Sequence, residues 1–426
     1  MSVQSLWAAT AVAAPRFPKL DRDVQADVVI VGGGFTGLSA AHHIAKDGRR
    51  PVVLEAKTVG WGASGRNGGL VSGKFRVPFH EVAARHGRDA ALRLYRTGHE
   101  AVDIVEELVQ ELGIDASRFT RSGYITAAHT ERALEAQRVA VEWLRTELGD
   151  TESYILTREQ VATELGAQGY VGGSLNTAAG CLHPLNYVRG LAAGVVARGI
   201  EVFEESPAVR VGQEGSGILV ETPQAFVRAK QIVIATNAYS DLTGATAPLA
   251  TSLVPFRSAI IATTPLSDNL RSAVLPSLRV AADTKRLLRW YRMVDERLVF
   301  GGRGAFGKSD SETAFRRLQK EMEAVFPQLT GQSIEFKWSG LVAMTPDQLP
   351  QIGRLDNGPF YAMGYNGTGV ALSSLMGRYL AQLTRGETPK LGLLGRPLRM
   401  IPFYPLSVPA VRIVTGYYQL LDALGR

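Results

Sequence analysis

Three glycines, Gly32, Gly34 and Gly37, stand in G-x-G-x-x-G spacing between the β-branched run Val28 to Val31 and a stretch carrying the apolar stripe Leu38, Ala41, Ile44 and Ala45. That order predicts a buried parallel strand, a tight turn and a helix whose first N–H groups and positive dipole end bind a pyrophosphate. Gly32 permits the turn, Gly34 lets backbone approach the phosphates, and Gly37 lets helix and strand pack closely. Phe35 and Thr36 open the helix at the same anion site. A second strand, Val52 to Leu54, ends in Glu55, roughly 20 residues on, where a carboxylate with Ala56 beside it can accept hydrogen bonds from a ribose diol. An acid at this position disfavours a 2′-phosphate. His42 and His43 fall on the helix and read as surface or packing residues.

After Glu55 the chain does not repeat strand and helix. It runs into a Gly/Ser/Asn segment, Gly60 to Gly69, followed directly by the apolar Leu70 and Val71. Open backbone N–H groups there suit a large ligand lying flat against the main chain. Ser64, Arg66 and Asn67, with Gly68, Gly69 and Leu70, are placed to reach a diphosphate or a ring edge. A third cluster, Gly364 to Gly369, precedes Val370 to Thr384, which has no proline and reads as a helix. A glycine-rich turn at a helix N-terminus makes a second anion site, with Asn366, Gly367 and Thr368 in the turn.

The elements that hold these clusters belong to a chain of 426 residues, long enough for two domains. Hydrophobic residues are 45% and charged residues 20%, a globular composition. Glycine is in surplus, 45 residues where average usage gives about 30, with no collagen period. The single cysteine, Cys181, excludes an intramolecular disulfide and argues against a cysteine zinc site, so a reducing compartment, the cytoplasm, is expected. The net charge of +7 is spread along the chain and favours acidic partners only weakly. No apolar stretch is long enough for a membrane span. Leu6 to Ala14 resembles a signal core, but no basic residue precedes it, so a soluble leader segment is expected.

From VIVGGGFTGLSAAHHIA through VVLEA to VGWGASGRNGG, the sequence resembles the D-amino-acid-oxidase-type FAD oxidoreductases, and within them the γ-glutamylputrescine oxidase branch. The resemblance covers nearly the whole chain. It includes the leader Ser5-Leu6-Trp7-Ala8-Ala9-Thr10-Ala11, His183-Pro184-Leu185-Asn186, and Ile234-Ala235-Thr236-Asn237-Ala238-Tyr239. It continues in Trp338-Ser339-Gly340, Thr345-Pro346-Asp347, Pro350, Gly353 and the segment Gly364 to Val370.

The resemblance implies an α/β (α+β overall) fold: a Rossmann-type FAD-binding domain and a second, antiparallel-sheet substrate domain, intertwined in sequence. Residues 1–85, 150–240 and 335–426 are expected in the first, 86–149 and 241–334 in the second. FAD is expected to bind non-covalently, since Cys181 lies away from the matching flavin segments. Val209, beside an alternating ribbon (Val209, Val211, Ile218, Val220), would hold the adenine. Thr236 and Asn237 would end a cofactor-facing strand, Gly340 would approach the cofactor, and the helix after Gly364 would point its dipole at the flavin pyrimidine end. Thr368 stands where the branch often has His. Pro405-Leu406-Ser407 replaces a usual P-G-G.

Antiparallel strands around Tyr124 to Ala127, Leu253 to Thr263, Leu287 to Tyr291, Leu298 to Phe300 and Ile334 to Trp338 suggest a cap sheet over the flavin. Arg257, Trp290, Tyr291, Arg303, Trp338, Met344 and Tyr365 are the pocket candidates, with Arg257 or Arg303 able to pair with a carboxylate. The implied reaction passes a hydride from the α-carbon of an unprotonated primary or secondary amine to flavin N5, and the imine hydrolyses to an aldehyde. Oxygen or another acceptor takes the electrons. Arg297 to Gly302 lacks the lysine that helps oxygen react in sarcosine-oxidase-type relatives, which leaves oxidase and dehydrogenase open. Two alternatives are a dehydrogenase feeding a membrane quinone, which would need an exposed apolar patch, and a transfer-RNA-modification-type oxidase; the apolar Val408 to Leu424 is expected to pack in the core rather than to form that patch. No basic run supports a nucleic-acid partner. The identity of the amine and the oligomeric state are not encoded legibly.

Overall fold

The computed structural model describes residues 4–303, 312–356, 358–402 and 404. The C-terminal Val408 to Leu424, expected to pack in the core, and Pro405 to Ser407 lie outside the described residues, as does the side chain of Arg303.

Two eight-stranded sheets organise the chain. In the first, Val24–Val31 pairs in parallel with Pro51–Leu54 on one side and Phe226–Ile234 on the other. Glu201–Phe203 and Phe360–Met363 extend the parallel core, Gln351–Arg354 closes one edge, and the ribbon Arg210–Glu214 with Gly217–Glu221 runs onto Phe226–Ile234. Val28 and Ile30 belong to one apolar cluster, and their alternates Val29 and Val31 to another. The opening strand is therefore covered on both faces, which is why its sequence is a continuous apolar run rather than an alternation. Helices Phe35–Lys46, Pro184–Val196, Gly369–Thr384 and Arg88–Leu112 build the cluster on the Val28 side.

The second sheet runs in the order Ile334–Met344, Val254–Thr263, Arg297–Arg303, Trp290–Val294, Val280–Asp283, Tyr124–Ala128, Gly172–Asn176, Ser153–Leu156. All neighbours are antiparallel except Val280–Asp283 with Tyr124–Ala128. One face packs on helix Glu312–Val325, whose buried Phe315, Leu318, Met322 and Val325 recur at helical spacing and meet Ala259, Ile261, Tyr291 and Phe300. The other face looks toward the first sheet's carboxyl ends.

Sheet membership divides the chain differently from the boundaries drawn on sequence. Ser153–Leu156 and Gly172–Asn176, within 150–240, pair in the second sheet, and so does Ile334–Met344. Helix Arg88–Leu112, within 86–149, shares its core with the first. Strand pairing joins residues far apart in sequence, and local composition does not reveal the partner. The leader forms a short helix, Leu6–Thr10, with Leu6 and Trp7 buried and the Trp7 indole donating to Asn67 O at 2.8 Å.

Candidate active site

The first glycine turn is as tight as a pyrophosphate loop requires. Gly32 has φ +112°, and a Cβ on Gly37 would stand 1.9 Å from Gly32 O. No side chain caps the helix at Gly34, so N–H groups of the first turn face the space in front of it. One of them, on Phe35, donates to Ser64 Oγ at 3.1 Å, which joins the first glycine cluster to the second. At the end of the neighbouring strand Glu55 accepts from the N–H of Gly33 and of Lys57, both at 2.9 Å. Burial, the largest effect, pushes the Glu55 carboxyl above its ordinary pKa, against the pull of those donors.

The second glycine segment is pinned from three directions. Asn67 ties it internally, donating to Ala63 O and Ser64 O at 3.0 Å and accepting from Gly69 N at 2.8 Å. Arg66 donates to Trp61 O at 2.8 Å, and the Trp338 indole donates to Arg66 O at 3.0 Å. Buried Arg292 reaches Leu182 O, Gly69 O and Gly68 O at 2.9, 3.2 and 3.4 Å. The third segment turns on Gly364, Asn366 and Gly367, all at positive φ. Asn366 Oδ1 accepts from Thr345 N at 2.9 Å, and Asn237 Oδ1 from Gly364 N at 2.9 Å. Thr368 Oγ1 donates to Tyr365 O at 3.0 Å, and no side chain caps the helix that follows.

These segments surround one continuous cavity of about 620 Å³ between the sheets. From the first cluster Gly32, Gly34, Phe35 and Thr36 line it, with Glu55 and Ala56. Ser64, Arg66, Asn67, Gly68 and Leu70 continue the wall, and Thr236 and Asn237 close the strand end. Gly340, Asn366, Gly367, Thr368, Gly369 and Val370 form the far wall, and Trp290, Met344 and Tyr365 are the pocket candidates that reach it. A glycine-lined channel with uncapped helix N-termini and a half-buried carboxylate fits an extended dinucleotide.

Other expected residues lie elsewhere. Gly37, Gly69 and Gly364 shape the turns behind the wall. Val209 is 42% exposed and gives its N–H to Glu221 O at 2.8 Å; its neighbour Ala208 lines the cavity instead. Arg257 alternates with the lining residues Phe256 and Ser258, so it points to the opposite face of the strand, where it donates to Ser339 Oγ. Tyr291 alternates with Trp290 in the same way; it is fully buried, stacked on Phe300, with its hydroxyl 3.1 Å from that of Tyr170. Trp338 is fully buried against Trp7, supporting the second glycine segment rather than facing the cavity. Arg303 is the exception: its backbone pairs with the cavity-lining Ser258, and its side chain lies outside the described residues, so its place as a pocket candidate stands as an expectation. Cys181 pairs with Leu70 in a two-stranded ribbon and is not part of the wall.

Sequence reasoning missed the polar groups set into the otherwise apolar cavity wall: Lys74, Arg76, Tyr124, Ser258, Arg286 and Gln348. Nothing local distinguishes them, although the alternation of Phe256, Ser258 and Ile260 was available as a signal for Ser258. Lys74 hydrogen-bonds Thr126 Oγ1, and its ammonium lies 4.1 Å from the centre of the Tyr124 ring. Burial pushes its pKa down to about 8.

A family model described as DAO, FAD dependent oxidoreductase, matches residues 27–383. The chain is 32% identical to the γ-glutamylputrescine oxidoreductase of Escherichia coli (strain K12), over 99% of this chain and 98% of that one. Among solved structures, glycine oxidase from Geobacillus kaustophilus superposes with a TM-score of 0.71 at 22% identity, over 88% of this chain and all of that one. L-proline dehydrogenase from P. horikoshii superposes with a TM-score of 0.72 at 20% identity, covering 87% and 96%. Among the described residues no helix is long and apolar enough to cross a membrane.

Proposed function

This chain belongs to the DAO family of FAD-dependent oxidoreductases, and on that premise we propose that it oxidises a primary or secondary amine at the carbon next to nitrogen. FAD held along the glycine-lined channel supplies the hydride acceptor. The remaining chemistry falls to the chain's own residues. Gly32, Gly34 and the first turn of helix Phe35–Lys46 would take the pyrophosphate, Glu55 the ribose diol, and the uncapped turn before Gly369 an anionic ring edge. Asn67, Arg292 and the two indoles of Trp7 and Trp338 fix the second glycine segment, so the wall is set before the substrate arrives.

The observation that carries this reading is the composition of the wall facing the glycines. Phe256, Ile260, Leu287, Leu288 and Trp290 make it largely apolar. No histidine lines the cavity, and Glu55 is its one carboxylate among the described residues. Such a wall excludes water and orients a neutral amine, and it offers no dedicated carboxylate or imidazole base, which hydride loss from an unprotonated amine does not need. The substrate's C–H and N–H bonds become C=N: the hydride goes to the cofactor, the proton to solvent, and water then hydrolyses the imine to an aldehyde and an amine or ammonia.

The relative of similar length acts, by its name, on γ-glutamylputrescine, which supports an alkylamine carrying a polar tail as the substrate type. The test is anaerobic mixing of the yellow holoenzyme with γ-glutamyl amines, polyamines and N-methyl amino acids. Bleaching of the flavin band by one class is the expected result; no bleaching by any would overturn the amine reading. Following hydrogen peroxide alongside dye reduction then separates oxidase from dehydrogenase.

A further inference from the structure

We propose that Lys74 is a specificity-determining residue that anchors a carboxylate on the substrate, so that the cavity selects amines bearing an acid group over polyamines. This rests on the amine reading above and deepens it.

The charge around the cavity is one-sided. Among the described residues its lining cations are Arg66, Lys74, Arg76 and Arg286, and its carboxylate is Glu55, held at the dinucleotide end by two backbone N–H groups. The cations are not equivalent. Arg66 is committed to Trp61 O, and Arg76 and Arg286 have interactions of their own. Lys74 has two partners, the hydroxyl of Thr126 and the face of Tyr124, and neither is anionic. No carboxylate among the described residues lies within ion-pair distance of it. Asp283, on the strand beside Tyr124–Ala128, is taken by Arg289 and by the N–H of Lys285.

A half-buried ammonium with no counter-ion is costly, and a carboxylate ligand removes the cost by supplying the missing charge and an acceptor for the remaining N–H bonds. The same ammonium repels a dication such as a polyamine in the same space. The wall between Lys74 and the glycine segments is apolar (Trp290, Leu288, Phe256), suited to the aliphatic carbons that separate an acid group from an amine.

The groups facing Lys74 leave it as the titrating member. Burial first, and Asp283 second, hold the Tyr124 phenol above its ordinary value. The depressed pKa of about 8 for Lys74 is what an ammonium without a counter-ion shows. Its hydrogen bond to Thr126 and the Tyr124 ring favour the charged form, which is the form that binds at neutral pH.

The probe is glutarate, a carboxylate with no amine to oxidise, titrated into the holoenzyme and followed by perturbation of the flavin absorbance. Wild type is expected to bind it saturably, Lys74→Met to bind at least about tenfold more weakly, and Lys74→Arg to recover most of the affinity. Absence of saturable binding to wild type, or a Lys74→Met variant within twofold of wild type, overturns the proposal. Should Lys74→Met not fold, wild type decides. Glutarate affinity must fall about tenfold or more from pH 7 to about pH 9.5, and a flat profile overturns the anchor. If glutarate binding depends on Lys74 yet no amine bleaches the flavin, the amine reading fails and the anchor stands. If amines bleach it but Lys74→Met leaves the preference between 4-aminobutanoate and putrescine unchanged, the anchor alone fails.

Discussion

The hydroxyl of Tyr365 and the hydroxyl of Thr36 meet at 2.7 Å, both side chains buried, although the two residues are 329 positions apart in sequence. Thr36 lies in the first turn of the helix that follows the first glycine motif; Tyr365 lies in the third glycine segment. The bond therefore ties together the two uncapped helix N-termini that line the cavity. Burial holds the Tyr365 phenol above its ordinary pKa, so it stays neutral and keeps its proton for this contact. Tyr365→Phe should cost about 1 kcal/mol of stability and speed FAD release severalfold, read from flavin fluorescence during a thermal ramp. Retention equal to wild type would mean that packing alone holds the two turns together.

Gly34 and Gly37 should fail in different ways. A Cβ on Gly37 meets the fixed backbone oxygen of Gly32 at 1.9 Å, whereas one on Gly34 meets the rotatable Ser64 Oγ at 2.8 Å. Gly37→Ala is expected to yield little folded protein. Gly34→Ala should fold and yet be isolated with little flavin, because the methyl occupies the line of approach to the phosphates. The double variant Gly34→Ala/Ser64→Gly removes the internal clash. If it regains full flavin content, the methyl obstructs only Ser64 and not a ligand.

Arg292 bridges the second glycine segment and the turn before His183, through Gly68 O, Gly69 O and Leu182 O. Arg292→Met keeps the length and apolar stem but leaves buried carbonyls without a donor, a cost of roughly 2–4 kcal/mol. The expected result is a melting temperature lower by several degrees and weaker FAD binding. Arg292→Lys should not restore it, since one ammonium cannot span the same carbonyls.

How much of this was legible in the sequence depends on the range of the interaction concerned. The first glycine motif, its helix and Glu55 lie within one βαβ unit, where spacing alone dictates geometry, and they occupy the expected wall. Sheet membership did not follow, because Ser153–Leu156 and Gly172–Asn176 find partners in strands remote in sequence. Strands were recognisable around Arg257 and Tyr291, but a shift of one residue exchanges the faces, and nothing local says which parity meets the cavity. Trp338 lies on the cavity-side parity and was still misplaced, since a buried indole supporting a loop looks in sequence like one lining a pocket. Lys74 belongs to no motif, and its interest comes from a desolvation that only the assembled fold creates.

His183 makes stability depend on pH. Its Nδ1 accepts the N–H of Asn186 at 3.2 Å, capping helix Pro184–Val196, and its Nε2 lies 3.1 Å from Thr10 Oγ1, which docks the leader helix. Burial first, and the nearby Arg292 cation as a lesser cause, hold its pKa down to about 4. An unfolded histidine titrates near 6.5, so between these values the unfolded chain binds the extra proton. The contribution is complete above about pH 6.5 and is lost as pH falls toward 4, by up to roughly 3 kcal/mol. Melting temperature should fall over that window, with earlier proteolysis of the leader. His183→Asn keeps a capping oxygen and carries no titrating group, so its profile should be flatter. An unchanged slope would assign the acid sensitivity to another group, such as the equally depressed His43.

Trp290 and Tyr291 are neighbours on one strand with opposite consequences. The indole of Trp290 lies where a Cβ on Gly301 would be 2.1 Å away and one on Gly68 would be 2.5 Å away, so it is wedged between the cap sheet and the second glycine segment at the cavity wall. Trp290→Phe shortens that wall and should raise KM for the amine severalfold, with a smaller change in melting temperature. Tyr291→Phe removes a buried hydroxyl that meets only Tyr170 on the far face, so it should cost about 1 kcal/mol in stability and leave kcat and KM within twofold. The pair tests strand parity directly. If Tyr291→Phe alters KM while Trp290→Phe does not, the face assigned to the cavity is the wrong one, and Arg257, on the same parity as Tyr291 through the register of the intervening strand, would return as a substrate contact.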